Sequence, residues 1–226
     1  MNYDIGMDGL SVCIGMPASR DIHPLTVKSL LGTYSLCNQF KIPCQFTLVA
    51  GNAIVQWARD EVVDLFLGKE ANRLFWIDSD IIWEPEDFMR LLALSQKRDV
   101  VSATYPAKKD IPTFYVHREE KPIETDEYGL IDIYGVGLGF TVMSREVVEK
   151  VHNKAPKVYD EISARETAQI FKVGYIEGKR EGEDMAFFRE IRELGYKIKL
   201  DPSIDLGHIG TKIFRGSIRE GLNLED

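Results

Sequence analysis

Leu74-Phe75-Trp76-Ile77-Asp78-Ser79-Asp80 passes from four large apolar residues straight into two carboxylates. A run that is apolar at every position is the pattern of a strand in a parallel sheet with helices on both faces, where neither face meets water. In open sheets of that kind ligands bind outside the carboxyl ends of the strands, and the acidic pair stands at such an end. Two carboxylates two residues apart can face one crevice once the chain turns. They then offer hard oxygen ligands to Mg²⁺ or Mn²⁺ arriving on a substrate phosphate. With 17 Asp residues in the chain, about one such triplet is expected by chance, so position and not pattern gives it meaning. The competing reading is a solvated acidic turn.

On either side of this stretch, short β-rich runs alternate with amphipathic ones, as parallel strands joined by crossover helices require. Leu10 to Ile14 reads as the first strand, ending in the loop Gly15-Met16-Pro17-Ala18-Ser19. Pro24 suits the first turn of a helix reaching about Asn38. Gln45 to Ala50 is the second strand, and Gly51-Asn52 turns into a helix that Gly68 stops. Pro85 opens a third helix to about Gln96, and Val100 to Thr104 is the next strand. Beyond Pro106 the candidates are shorter: Thr113 to His117, Ile131 to Tyr134 and Phe140 to Met143, then a helix from Arg145 to His152 with Ser144 in the capping position. Asn153 to Arg180 shows no periodicity and reads either as a mobile acceptor loop or as a helix. A helix from Gly182 to Leu194, closed by Gly195, leads to a strand at Lys197 to Leu200 and a tail holding His208. The expectation is an α/β fold in one domain over residues 1–226, with a mostly parallel central sheet flanked by helices and a smaller mixed or antiparallel C-terminal part.

Composition narrows the function. The chain has 226 residues, 44% of them apolar, with 28 basic against 36 acidic side chains and a net charge of -8. That balance argues against general nucleic-acid binding and against an anionic membrane surface. Three cysteines without CxxC spacing, Cys13, Cys37 and Cys44, point to a reducing compartment. No window approaches the length of a membrane span, and Asp4 and Asp8 stand where a signal peptide needs positive charge, so a cytoplasmic location is expected.

Three further groups could carry chemistry. Glu183-Asp184 follows Gly182 at the start of a helix, where the first turn favours the charged form of a carboxylate and keeps an Asp able to accept a proton. Acidic residues are also common there simply because the dipole favours them. Gly135-Val136-Gly137-Leu138-Gly139 is not a dinucleotide fingerprint, because that pattern needs glycine at Phe140 and a following helix. Alternate glycines in a strand-like run indicate close approach of backbone to either a ligand or a neighbouring element. His208 lies between glycines, with Lys212, Arg215 and Arg219 after it. Such a tail could close over a diphosphate or be a solvated face.

Taken in order, Asp78-Ser79-Asp80, Gly135 to Gly139, Gly182-Glu183-Asp184 and His208 resemble the motif set of the GT-A fold glycosyltransferases, over about Leu10 to Gly210. The resemblance implies a nucleotide-binding half (1–106) and an acceptor and catalytic half (107–226) with a metal-ligand tail. It implies a nucleoside-diphosphate sugar donor, by expectation a UDP-sugar, and a glycan or other hydroxyl acceptor. Asp80 and His208 would hold the metal, with Asp78 on the donor and reaching the metal through water. Imidazole favours Mn²⁺ over Mg²⁺ in such a set. Asp184 would be the general base of an inverting enzyme and Glu183 an orienting group. Gly137 and Gly139 would let the donor approach. The loop with Pro17, Ser19 and Arg20 would hold nucleobase and ribose, and Lys212 or Arg215 would assist the diphosphate. Arg59 resembles the family's "ARN" segment as a diphosphate or nucleobase contact, although Asp60 replaces the asparagine. A nucleotidyltransferase would also put carboxylates on a metal beside a nucleotide, but this chain has one glycine and one arginine after its first strand, where such enzymes carry a glycine- and basic-rich signature. A non-catalytic sugar-nucleotide binding protein is the third reading.

Overall fold

The computed structural model describes residues 6–161, 164–176, 178–222 and 224; Asp4 lies outside them. The first half of the chain forms β1 (Val12–Ala18), α1 (Pro24–Gln39), β2 (Cys44–Ala50), α2 (Val55–Leu67), β3 (Arg73–Ile77), β4 (Ile81–Ile82), α3 (Pro85–Leu94) and β5 (Val100–Ser102). There follow β6 (Ile131–Ile133), β7 (Phe140–Ser144), α4 (Arg145–Lys154), β8 (Lys157–Asp160), β9 (Arg165–Ala168), β10 (Gly174–Ile176) and β11 (Lys179–Glu181). The chain ends in α5 (Glu183–Glu193), β12 (Ile198–Leu200), β13 (Gly207–Ile209), β14 (Ile213–Phe214) and α6 (Ile218–Leu222).

Seven strands make the central sheet in the order β2-β1-β3-β7-β5-β12-β6. β1, β2, β3, β5 and β12 run one way, and β6 and β7 run the other. The all-apolar reading of β3 holds, and its period of two is visible in the packing. Leu74 and Trp76 join the core under α2, α4 and α5, with Phe66, Val147 and Phe187. Phe75 and Ile77 join the core under α1 and α3, with Leu30, Phe88 and Leu91. Phe75 stacks on Phe88 with ring centroids 4.2 Å apart.

β7 lies antiparallel between β3 and β5, pairing Ile77 with Phe140 and Ser102 with Thr141. One step beyond that register the Asp78 amide donates to the Gly139 carbonyl at 3.1 Å. The sheet itself thereby sets the last glycine of the Gly135 to Gly139 run beside the first carboxylate of the acidic pair.

The structure differs from the sequence reading in five places. β1 continues through Ala18, so Gly15 to Ala18 is strand and not loop. Its ladder to β3 stops at Gly15, and Pro17 sits in the part paired with β2 alone, where a missing donor is tolerated. Thr113 to His117 forms no strand, only a bridge from His117 to Gly135. Ser144 occupies the N-cap position of α4, but its hydroxyl donates to Asp99 at 2.9 Å and leaves the helix uncapped. Among the described residues between Asn153 and Arg180, after the end of α4, there is neither a long loop nor a further helix but two antiparallel strand pairs, β8-β9 and β10-β11. The tail is ordered as strand: β13 pairs with both β14 and β4, bringing His208 opposite Ile81.

Candidate active site

The two carboxylates after β3 engage different partners. Asp78 Oδ1 accepts from Arg59 Nη2 at 3.4 Å, and its Oδ2 accepts from the Tyr105 hydroxyl at 3.3 Å. Asp80 Oδ2 lies 2.6 Å from Lys108 Nζ and 3.4 Å from His208 Nε2. Burial would raise the Asp80 carboxyl, but His208 and Lys108 outweigh it and hold it below the usual carboxylate range. His208 reaches this oxygen because the β4-β13 ladder continues into a bond from the Ile209 amide to the Asp80 carbonyl, 2.8 Å.

The chemistry of His208 fits a cation ligand. Its Nδ1 is 2.9 Å from the Pro106 carbonyl oxygen, which can only accept, so Nδ1 carries the proton of the neutral ring. Nε2 is then the nitrogen that faces the Asp80 carboxylate: it donates to that oxygen when the ring is protonated, and offers a lone pair to a cation between the two when the ring is neutral. A backbone carbonyl fixing the tautomer of a histidine is the usual support of a metal-ligating imidazole. Among the described residues no three His, Cys, Asp or Glu side chains gather as a metal cage. Asp80 and His208 would therefore hold a cation whose other ligands come from substrate oxygens and water.

Arg59 organises the second half of the site. It projects from α2 with its side chain 4% exposed, pairing with Glu183 Oε1 at 3.2 Å, with Asp184 Oδ1, and with Asp78. Burial works to lower its affinity for the proton, but Asp184, Asp78 and Glu183 together push it higher still. Arg59, expected as a diphosphate or nucleobase contact, lines the cleft and has both terminal nitrogens on carboxylates, while its buried Nε has no protein partner. Its neighbour Asp60 looks away from the site, accepting the amides of Ile170 and Phe171 at 3.0 Å each. Asp60 thus fixes the chain that leads into the β10-β11 hairpin.

Asp184 stands in the first turn of α5. Its Oδ1 takes Arg59, and its Oδ2 accepts from the Leu138 amide at 3.3 Å. The helix terminus does not keep this carboxyl in its ordinary range. Burial pushes it up to about 6, with Arg59 pulling down and Asp78 and Glu183 pushing further up.

Gly137 and Gly139 are glycine because of neighbouring side chains. A Cβ on Gly137 would lie 2.5 Å from the Tyr105 hydroxyl oxygen, and one on Gly139 would overlap the Asp78 carboxylate. Turning Asp78 aside would break its bonds to Arg59 and Tyr105. Gly139→Ala is expected to cost about 1–3 kcal/mol, a fall of several degrees in melting temperature for a chain of this length. A thermal melt matching or exceeding the parent's would contradict that packing.

A cleft of about 290 Å³ opens over these groups, lined by Pro17, Ser19, Arg59, Asp78, Asp80 and His208 among others. Glu183, Asp184 and the glycines join it through Arg59, Asp78 and Tyr105. The remaining predicted contacts do not line it. Arg20 is exposed just beyond Ser19, Arg215 is exposed, and Lys212 Nζ pairs with Asp110 at 2.6 Å. A larger hollow of about 380 Å³ lies between the 118–124 segment, β6 and the C-terminal end of α5. None of the carboxylates above lines it. Its Lys121 is paired with Glu119 and its Arg192 covers the Tyr134 ring.

No protein-family model matches the sequence, and no curated protein matches it. Solved structures do. The crystal structure of A197 from STIV superposes with a TM-score of 0.60 at 21% identity, over 89% of this chain and 86% of that one. GalNAc-T7, solved with UDP, GalNAc and Mn²⁺, superposes at 0.56 and 11% identity, over 89% of this chain and 44% of that one. The fold is GT-A-like.

Within this GT-A-like fold, sequence reasoning missed one short segment. Tyr105-Pro106-Ala107-Lys108 follows β5 and touches Asp78, Asp80, Gly139 and His208. Tyr105 bonds Asp78, takes the Gly139 amide at 3.3 Å and sets its ring edge-on to His208 at 4.9 Å. Pro106 fixes the His208 tautomer, and Lys108 meets Asp80. The available signal was a Tyr and a Lys directly after a strand whose end faces the crevice.

Proposed function

We propose that the protein is a metal-dependent glycosyltransferase, moving a sugar from a nucleoside-diphosphate sugar, by resemblance a UDP-sugar, to an acceptor hydroxyl with inversion. The observation that carries the reading is Arg59 joining Asp184 to Asp78, while Asp80 and His208 face each other at the same strand end. That arrangement ties a candidate base, through Arg59 and Asp78, to the cleft that the candidate cation ligands line.

Each Asp184 oxygen holds one N–H partner and keeps a second lone pair. The carboxylate is therefore oriented without being saturated. It takes the proton of the acceptor hydroxyl as that oxygen bonds the anomeric carbon, while the bond from that carbon to the diphosphate oxygen breaks and the nucleoside diphosphate leaves. A carboxyl near 6 suits this work at neutral pH, being ionised there yet more basic than an ordinary aspartate. Arg59 holds the base in place and Glu183 beside it. Asp78, fixed by Tyr105 and Arg59, presents its carboxylate to the donor, and Pro17 and Ser19 form the wall available to the nucleoside. Mn²⁺ or Mg²⁺ held by Asp80 and His208 would neutralise charge on the leaving diphosphate as a Lewis acid.

Release of nucleoside diphosphate from a panel of sugar nucleotides tests the reading. Turnover is expected with Mn²⁺, lost on adding EDTA and restored by excess Mn²⁺. Turnover unchanged by EDTA would remove the metal from the reaction.

A further inference from the structure

Asp80 already has a cation. Lys108 Nζ lies 2.6 Å from Asp80 Oδ2, the same oxygen that faces His208 Nε2 at 3.4 Å. The Lys108 stem is laid along the β13-β14 turn, where a Cβ on Gly210 would come within 3.1 Å of its Cδ. The two residues before Ala107 hold His208 by ring and carbonyl. A single short segment thus builds one ligand's orientation and occupies the other ligand.

We propose that Lys108 is the resting counter-cation of Asp80, and that a divalent ion enters the site by displacing it. The inference rests on the reading of Asp80 and His208 as cation ligands given above. Two cations within bonding distance of one carboxylate oxygen repel each other, so ammonium and divalent ion exclude one another there. A lysine is suited to leave: its charge is a compact point on a flexible four-carbon stem, and the side chain is 42% exposed. Lys108 therefore sets how tightly the site takes a free metal ion before any nucleotide arrives, and keeps the carboxylate neutralised when none is bound.

The test is a titration of the whole chain with Mn²⁺ alone, followed by electron paramagnetic resonance of the free ion. Lys108→Met and Lys108→Gln are expected to bind Mn²⁺ about fivefold more tightly than the parent, the size of a partly exposed ion pair removed from the competition. Lys108→Arg, which keeps the charge, is expected to bind like the parent, and Asp80→Asn to lose the site. Neutral variants that bind no more tightly than the parent, while Asp80→Asn still abolishes binding, would overturn the role of Lys108 and leave the metal site standing. Absence of Mn²⁺ binding in the parent and in the neutral variants would overturn both.

Discussion

Asp184→Asn is expected to fold like the parent, bind donor near normally and lose transfer by about 10²- to 10⁴-fold, the range that a positioned general base supplies. The amide keeps the shape of the carboxylate but cannot take the acceptor proton. Stability is expected to move little, or upward. The Asp184 carboxyl is raised to about 6 by burial, against Arg59 and with Asp78 and Glu183. A raised carboxyl gives its full stability below its unfolded value near 4, and loses it as pH climbs through about 6. At neutral pH the parent therefore carries an unfavourable charge that the Asn variant lacks. In the parent, kcat/KM should rise with pH and level off above about 6, and that limb should vanish in the variant. Near-normal transfer by Asp184→Asn would take the base role away from this residue.

Arg59→Met is expected to damage fold and function together. The guanidinium is the cation shared by Asp78, Glu183 and Asp184, whose side chains are 26%, 22% and 23% exposed. Removing one partner of a buried ionic cluster costs about 3–5 kcal/mol, because the remaining charges stay behind uncompensated. For a chain of this length that is a fall in melting temperature on the order of 10 °C. Arg59→Lys keeps the charge but not the fork that reaches both β3 and α5, so it should recover stability better than transfer. A melting temperature for Arg59→Met within a degree or two of the parent's would show that the cluster is not held by this side chain.

The parts legible in the sequence are those whose information is local. Leu74 to Ile77 announces a strand buried on both faces, Pro24 and Pro85 each open a helix, and Gly68 closes one. That Asp78-Ser79-Asp80 stands at a strand end was readable from the apolar run before it. What escaped depends on partners far away in the chain. Arg59 resembles a diphosphate or nucleobase contact through its "ARN"-like segment, and nothing near it announces its three carboxylate partners, which stand 19, 124 and 125 residues on. The strand holding His208 is three residues long and is paired with strands of two residues, too short for a period of two to register. The same holds for β8 to β11, which are mostly exposed and bury a single residue, Ala168, too few to impose alternation. The glycines of the Gly135 to Gly139 run were correctly taken as places of close approach, but only the structure shows that Tyr105 and Asp78 are what approaches Gly137 and Gly139.

Asp80 and His208 are proposed to hold the cation of a nucleotide-sugar site. The most direct test is anomalous diffraction at the manganese edge from a crystal grown with Mn²⁺ and UDP. An anomalous peak is expected between the Asp80 carboxylate and His208 Nε2, with diphosphate oxygens on the same ion and Lys108 moved off Asp80. A bound UDP with no peak at that position, or a peak elsewhere on the molecule, would contradict that assignment.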